Sequence, residues 1–176
     1  VEALPIDGLD DNISGLTYNA ATQTLFAVIN RPPAVVELST EGKLLRQVPL
    51  QITLDPEGIT WVQGDLFIIA DESDNSLHWI RIPATGNRML HVHATRLPLD
   101  FAHRDNRGFE GISWVQSRGE LWIANEKNPR HVIVVQGLDG VKPEAESSAQ
   151  IRFRQWQPDH WFGVLGADLS SLTVHE

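Results

Sequence analysis

An all-β fold built from repeated four-stranded antiparallel units is predicted by three observations. A short phrase recurs: Ile13-Ser14-Gly15-Leu16-Thr17-Tyr18, Pro56-Glu57-Gly58-Ile59-Thr60-Trp61 and Phe109-Glu110-Gly111-Ile112-Ser113-Trp114, with a fourth copy beginning at Leu169-Ser170-Ser171-Leu172-Thr173-Val174. Each of the first three is followed by a turn and a second apolar run ending in a polar cluster, at residues 25–30, 66–71 and 121–125. The runs are short, rich in Val, Ile, Leu, Trp and Phe, and no long 3.6-residue periodicity competes with them. A strand repeat at this spacing means a propeller or a solenoid. The reading adopted is an antiparallel β-propeller.

The elements follow in order. Each repeated phrase is an innermost strand, and the second apolar run pairs with it across turns at 19–22, 63–65 and 117–120. Third strands are expected at 35–38, 77–80 and 131–135. Fourth strands follow, and two end alike, at Val48-Pro49-Leu50 and Leu97-Pro98-Leu99. Proline there suits an outer strand, where one ladder hydrogen bond can be spared. The N-terminus repeats that ending as Leu4-Pro5-Ile6, so residues 1–7 are expected to form an outer strand that closes the ring. Three blades are thus expected at 13–50, 56–99 and 109–156, with a fourth starting at 168–176. A chain of this length holds too few repeats for a closed ring at ~40–50 residues per blade. The remaining blades are expected from further sequence or from a second chain.

Composition narrows the function. The formal net charge is −9 and the 14 Lys and Arg are scattered, which argues against a nucleic-acid partner. With no cysteine, there is no thiol nucleophile and no Cys-based metal site. The apolar runs fall far short of the ~20 residues that span a membrane, and no signal-peptide pattern is present. There is no phosphate-cradling glycine loop, nucleophile elbow or zinc-protease motif, and no organic cofactor is expected.

Glu57 and Glu110 start innermost strands, whereas Asp71 and Asn125 end the second strands of the same blades. In antiparallel pairs these positions share one end of the blade, so four oxygen-bearing side chains should converge near one mouth of the channel. Such a donor set suits Ca²⁺, with Mg²⁺ as the alternative; the competing reading is a structural polar network, and direct acid–base work is a third. Ser14 and Ser170 stand at the same repeat position, which breaks the symmetry of a carboxylate ring. Glu72, Glu126, Lys127 and Arg107 are ligand-binding candidates in loops at that face. Turn chemistry is the plainer account of Asp71-Glu72 and Asn125-Glu126-Lys127. His103 and Asp105, in the long 100–108 loop, are the weak catalytic candidates, as a base and its orienting group. His91 and His93 share a face of a strand, read as a solvated outer edge. Trp61 and Trp114 are expected to pack between blades, and Trp156 and Trp161 flank an irregular stretch.

The stretches Asp11-Asn12-Ile13-Ser14-Gly15-Leu16, Asp55-Pro56-Glu57-Gly58-Ile59, Ala70-Asp71-Glu72, Gly108-Phe109-Glu110-Gly111-Ile112 and Asn125-Glu126-Lys127-Asn128-Pro129 together resemble the bacterial SdiA-regulated (YjiK-like) family. The resemblance implies a six-bladed β-propeller of the cell envelope, on the periplasmic side of the inner membrane, often carried behind an N-terminal membrane anchor. It implies a fold and a location rather than a reaction. The Glu-Gly phrase is also similar, locally, to calcium-dependent propeller hydrolases of the gluconolactonase and paraoxonase groups, whose glutamate there reaches a metal. Two functions follow as expectations: a ligand- or protein-binding or scaffold domain with a divalent-metal site at the channel mouth, or a calcium-dependent hydrolase of esters or lactones. Its partner would be a small molecule or a protein.

Overall fold

The computed structural model describes residues 5–9, 13–50, 55–73, 76–87, 96–98, 109–125, 131–138 and 151–156. Twelve strands are described. They are β1 (Ile13–Asn19), β2 (Thr24–Asn30), β3 (Pro33–Leu38), β4 (Leu44–Pro49), β5 (Pro56–Gln63), β6 (Leu66–Asp71), β7 (Ser76–Arg81), β8 (Arg96–Pro98), β9 (Phe109–Val115), β10 (Glu120–Asn125), β11 (His131–Gln136) and β12 (Arg152–Trp156). They form three antiparallel four-stranded sheets, each in sequence order: β1-β2-β3-β4, β5-β6-β7-β8 and β9-β10-β11-β12. Consecutive sheets meet through their first strands, β1 on β5 and β5 on β9, and β1 also touches β9. Three blades therefore fan out from a common axis, as in a β-propeller. No helix among the described residues is long and apolar enough to cross a membrane.

Burial explains the strand sequences. β6 is buried along its whole length because both of its faces meet a neighbouring blade. Phe67 and Ile69 pack towards the first blade with Phe26, Val28 and Ile59. The alternate residues Ile68 and Ala70 pack towards the third blade with Phe109, Ile112 and Ile123. Alternate side chains of a strand point to opposite faces, so a strand covered on both sides reads as an unbroken apolar run. Trp61 and Trp114 lie half-buried against these two inter-blade cores, as their repeat position predicts. The outer strand β12 is exposed throughout.

The repeated glycine carries the blade-to-blade approach. A Cβ on Gly15 would stand 2.6 Å from the Ile59 backbone nitrogen and 2.7 Å from Gly58 Cα. A Cβ on Gly58 would stand 3.1 Å from Ile112 Cγ1 and 3.2 Å from the Glu110 carbonyl oxygen. Two residues further on, a hydroxyl ties the same strands together. The Trp61 backbone N–H donates to Thr17 Oγ1 at 3.1 Å, and the Trp114 backbone N–H donates to Thr60 Oγ1 at 2.9 Å. The Gly-x-Thr/Ser phrase is thus a packing device between blades.

Of the outer strand expected over residues 1–7, residues 1–4 lie outside the described residues. Pro5 and Ile6 occupy irregular backbone leading into a turn at Asp7-Gly8. The fourth blade expected at 168–176 also lies outside the described residues.

Candidate functional site at the channel mouth

Pro56 pairs with Asp71 and Phe109 pairs with Asn125, so first-strand starts and second-strand ends do share one end of each blade. All three innermost strands carry a register irregularity at this end. In β5 it falls between Pro56 and Gly58, which leaves Glu57 as the extra residue opposite the ladder. In β9 it falls opposite Ala124/Asn125 and leaves Glu110 so placed; in β1 it lies between Ile13 and Leu16, around Ser14. A β-bulge re-aims the side chain of the extra residue and bends its strand. The repeat position occupied by Ser14, Glu57 and Glu110 is therefore a bulge position.

Around Glu57, among the described residues, one group of three carboxylates assembles: Asp55, Glu57 and Glu72 each place an oxygen within 4.8 Å of the others, and all three are half-buried. Asp55 was not singled out as a site residue in the sequence, although it stands two positions before Glu57 across Pro56. The group is held from two sides. The Glu72 backbone N–H donates to the Asp55 carbonyl oxygen at 3.0 Å, which joins the end of β6 to the entry of β5. Asn30, at the end of β2 in the first blade, donates through Nδ2 to Asp55 Oδ1 at 3.2 Å and Glu57 Oε1 at 3.3 Å. Its own Oδ1 is buried without a hydrogen-bond partner.

Asp71 sits directly behind this group and is 1% exposed. Its Oδ1 accepts from the Asp55 backbone N–H at 3.1 Å, the Ser73 backbone N–H at 3.0 Å and Ser73 Oγ at 2.7 Å. Its Oδ2 lies 3.6 Å from His78 Nε2, which in turn is 2.8 Å from Ser76 Oγ. Burial pushes the Asp71 carboxyl up, but His78, Ser73 and the two backbone donors outweigh it, and it titrates below the usual carboxylate range. Asp71 thus anchors the loop that presents Asp55 and Glu72. The Asp-x-Ser spacing of Asp71 and Ser73 was the readable signal for that role. Ser76 and His78, both buried, were missed, because a Ser and a His in the apolar β7 run carry no sequence signature of a partner.

In the third blade Glu110 is half-buried and Asn125 buried. Glu110 is not among the three carboxylates that assemble around Glu57, and the sequence-predicted set of Glu57, Glu110, Asp71 and Asn125 shares an end of the blades. Gly108 stands where the second blade has Asp55. Glu126, Lys127, Arg107, His103 and Asp105, together with His91, His93 and Trp161, lie outside the described residues.

Two solved structures are similar in backbone. Streptogramin B lyase matches over 64% of this chain and 34% of its own, at 17% identity and a TM-score of 0.46. Hsv2 of Kluyvelomyces marxianus matches over 83% of this chain and 49% of its own, at 14% identity and a TM-score of 0.49. The chain spans about a third and about half of the length of these two structures. A family model described as SdiA-regulated matches residues 1–176, from the first strand-entry phrase to the last, and the chain belongs to that family.

Proposed function

We propose that this chain is part of a cell-envelope binding propeller, taking a small-molecule or protein ligand, whose channel mouth holds a divalent cation on Asp55, Glu57 and Glu72. The observation that carries the cation is the convergence of three half-buried carboxylates within 4.8 Å of one another. Three negative charges at that separation repel by between about 1 kcal/mol per pair in water and about 3 kcal/mol at a surface-like dielectric. The Asn30 amide offsets only part of this. A cation would remove it.

The donor set favours calcium. All three ligands are carboxylates, and Ca²⁺ accepts irregular oxygen cages where Mg²⁺ demands a near-ideal octahedron and keeps most of its waters. Turning over the Asn30 amide would also offer its unpartnered oxygen to the ion. The ion would supply a fixed positive charge at the mouth, suited to a ligand carboxylate, phosphate or carbonyl. The envelope location is supported by membership of the SdiA-regulated family and its implied anchor.

The test is thermal melting with calcium and with EDTA, in the unaltered chain and in Asp55→Asn/Glu57→Gln. At 100-fold excess over Kd, a ligand specific to the folded state adds about 2.7 kcal/mol. For a domain of this size that is a rise of about 5–10 °C. The doubly neutral variant should melt at least as high as the unaltered chain in EDTA, since its repulsion is gone, and should ignore calcium. An unaltered chain that ignores calcium, or a variant that responds equally, refutes the cation reading.

A further inference from the structure

We propose that Asn30 makes the cation site a clamp across the seam between the first and second blades, its amide turning to give the ion Oδ1 as a fourth ligand; the proposal rests on the cation reading above. The site is split between blades. Asp55, Glu57 and Glu72 belong to the second blade, whereas Asn30 ends β2 in the first. Both hydrogen bonds of the Asn30 side chain cross the seam, from Nδ2 to Asp55 Oδ1 at 3.2 Å and to Glu57 Oε1 at 3.3 Å. Asp71 ends β6 at the same repeat position and does the opposite. Its Oδ1 accepts from Asp55 and Ser73 and its Oδ2 faces His78, all within its own blade. Asn30 is thus aimed across a seam, and what it meets there is the one such carboxylate group among the described residues.

An amide has two ends of opposite polarity, a donor nitrogen and an acceptor oxygen. The N–H end of Asn30 meets two carboxylates, and its oxygen is buried without a partner. Half a turn about the Cβ–Cγ bond exchanges the ends. At the buried side the turn swaps one unpartnered group for another, so whatever faces the amide at the mouth decides between the two orientations. Carboxylates alone favour the N–H end. A cation among them repels that end and attracts the oxygen, and Ca²⁺ takes amide oxygens beside carboxylates. Binding therefore replaces two hydrogen bonds across the seam by ligand bonds from both blades to one ion.

The two seams can be read separately. The Trp61 N–H donates to Thr17 Oγ1 across the first seam, and the Trp114 N–H donates to Thr60 Oγ1 across the second. A clamp at Asn30 closes the first seam only, so calcium should protect Trp61 and leave Trp114 nearly unchanged.

Residue-resolved amide exchange on the full 176-residue chain, in calcium and in EDTA, tests the clamp. Calcium should slow Trp61 exchange by about tenfold, and by at least about threefold more than Trp114 exchange. Equal slowing at both seams, or none at Trp61 while calcium binds, overturns it. Calorimetric titration with CaCl2 tests the ligand. Asn30→Leu, which keeps the bulk but neither polar end, should bind calcium about tenfold more weakly. If Asn30 were only a donor to the carboxylates, removing it would leave binding unchanged or tighter, and that result overturns the proposal. In the unaltered chain the Asn30 side-chain N–H resonances should shift as calcium saturates; resonances that stay in place overturn it too, whatever the fold of the variant. A chain that binds no calcium at all sinks the cation reading and the clamp with it. Binding without the Asn30 effects removes the clamp alone.

Discussion

Replacing Gly15 by alanine tests the packing of the blades directly. The added methyl would sit 2.6 Å from Ile59 N, 2.7 Å from Gly58 Cα and 3.0 Å from Glu57 O, all of them backbone atoms. Side chains cannot rotate away from such a clash, so β1 and β5 must separate by most of an ångström to reach ordinary contact. Overpacking of this kind costs about 1–3 kcal/mol. The same separation would stretch the 3.1 Å bond between Trp61 N–H and Thr17 Oγ1 past useful length, adding about 1 kcal/mol. The expected loss is therefore about 2–4 kcal/mol, or roughly 4–16 °C in melting temperature for a chain of this size. Gly42 provides the contrast. It adopts a positive φ of 82° with nothing within 4 Å of its would-be Cβ, so alanine there meets strain but no clash, on the order of 1 kcal/mol. Urea denaturation of both variants decides the matter. Gly15→Ala within ~0.5 kcal/mol of the unaltered chain, or Gly42→Ala the more damaging of the two, refutes the close-approach account.

Thr60→Val keeps the shape but removes the acceptor for the Trp114 N–H; a loss of about 1–3 kcal/mol is expected in the same denaturation assay, and Thr60→Ser should recover most of it. Glu120 contributes to the pH dependence beside Asp71. Burial raises its carboxyl, but hydrogen bonds from Gln136 and Trp122, with the nearby Arg154 and Arg118 charges, bring it below the ordinary 4.5. A carboxylate with a depressed folded pKa stabilises the fold above its unfolded value, and that contribution disappears as pH falls through the folded one. Glu120→Gln should accordingly flatten part of the fall in melting temperature measured from pH 5 downwards; an unchanged acid slope would dismiss Glu120 as a contributor.

Much of the scaffold is visible in the chain because it depends on local pattern. The run Leu66-Phe67-Ile68-Ile69-Ala70 announces a strand covered on both faces, and the recurring glycine, at Gly15 and Gly58, marks the point where one blade meets the next. Pro49 and Pro98 mark outer strands for a backbone reason, the missing N–H. The candidate site was only half visible. Glu57 stood out by repetition and Glu72 as a loop candidate at the same face, but Asp55 did not, and nothing in the chain joined the three. Asp55 and Glu72 reach it because a bulge turns Glu57 out of the ladder and the Glu72 N–H closes onto the Asp55 carbonyl, and neither event has a signature in residue type. Asp71 matched the pattern of a ligand equally well; what sets it apart is that protein donors already surround one of its oxygens.

The bulge at the blade entry has a consequence for how such a protein can change. A residue outside the ladder contributes neither a register-fixing pair nor core packing, so its identity is nearly independent of whether the blade folds. Within this one chain the position already holds serine in one blade and glutamate in two. This end of the blades can therefore be rewritten one blade at a time, from neutral to acidic, while the glycine beside Ser14 and Glu57 keeps neighbouring blades in step.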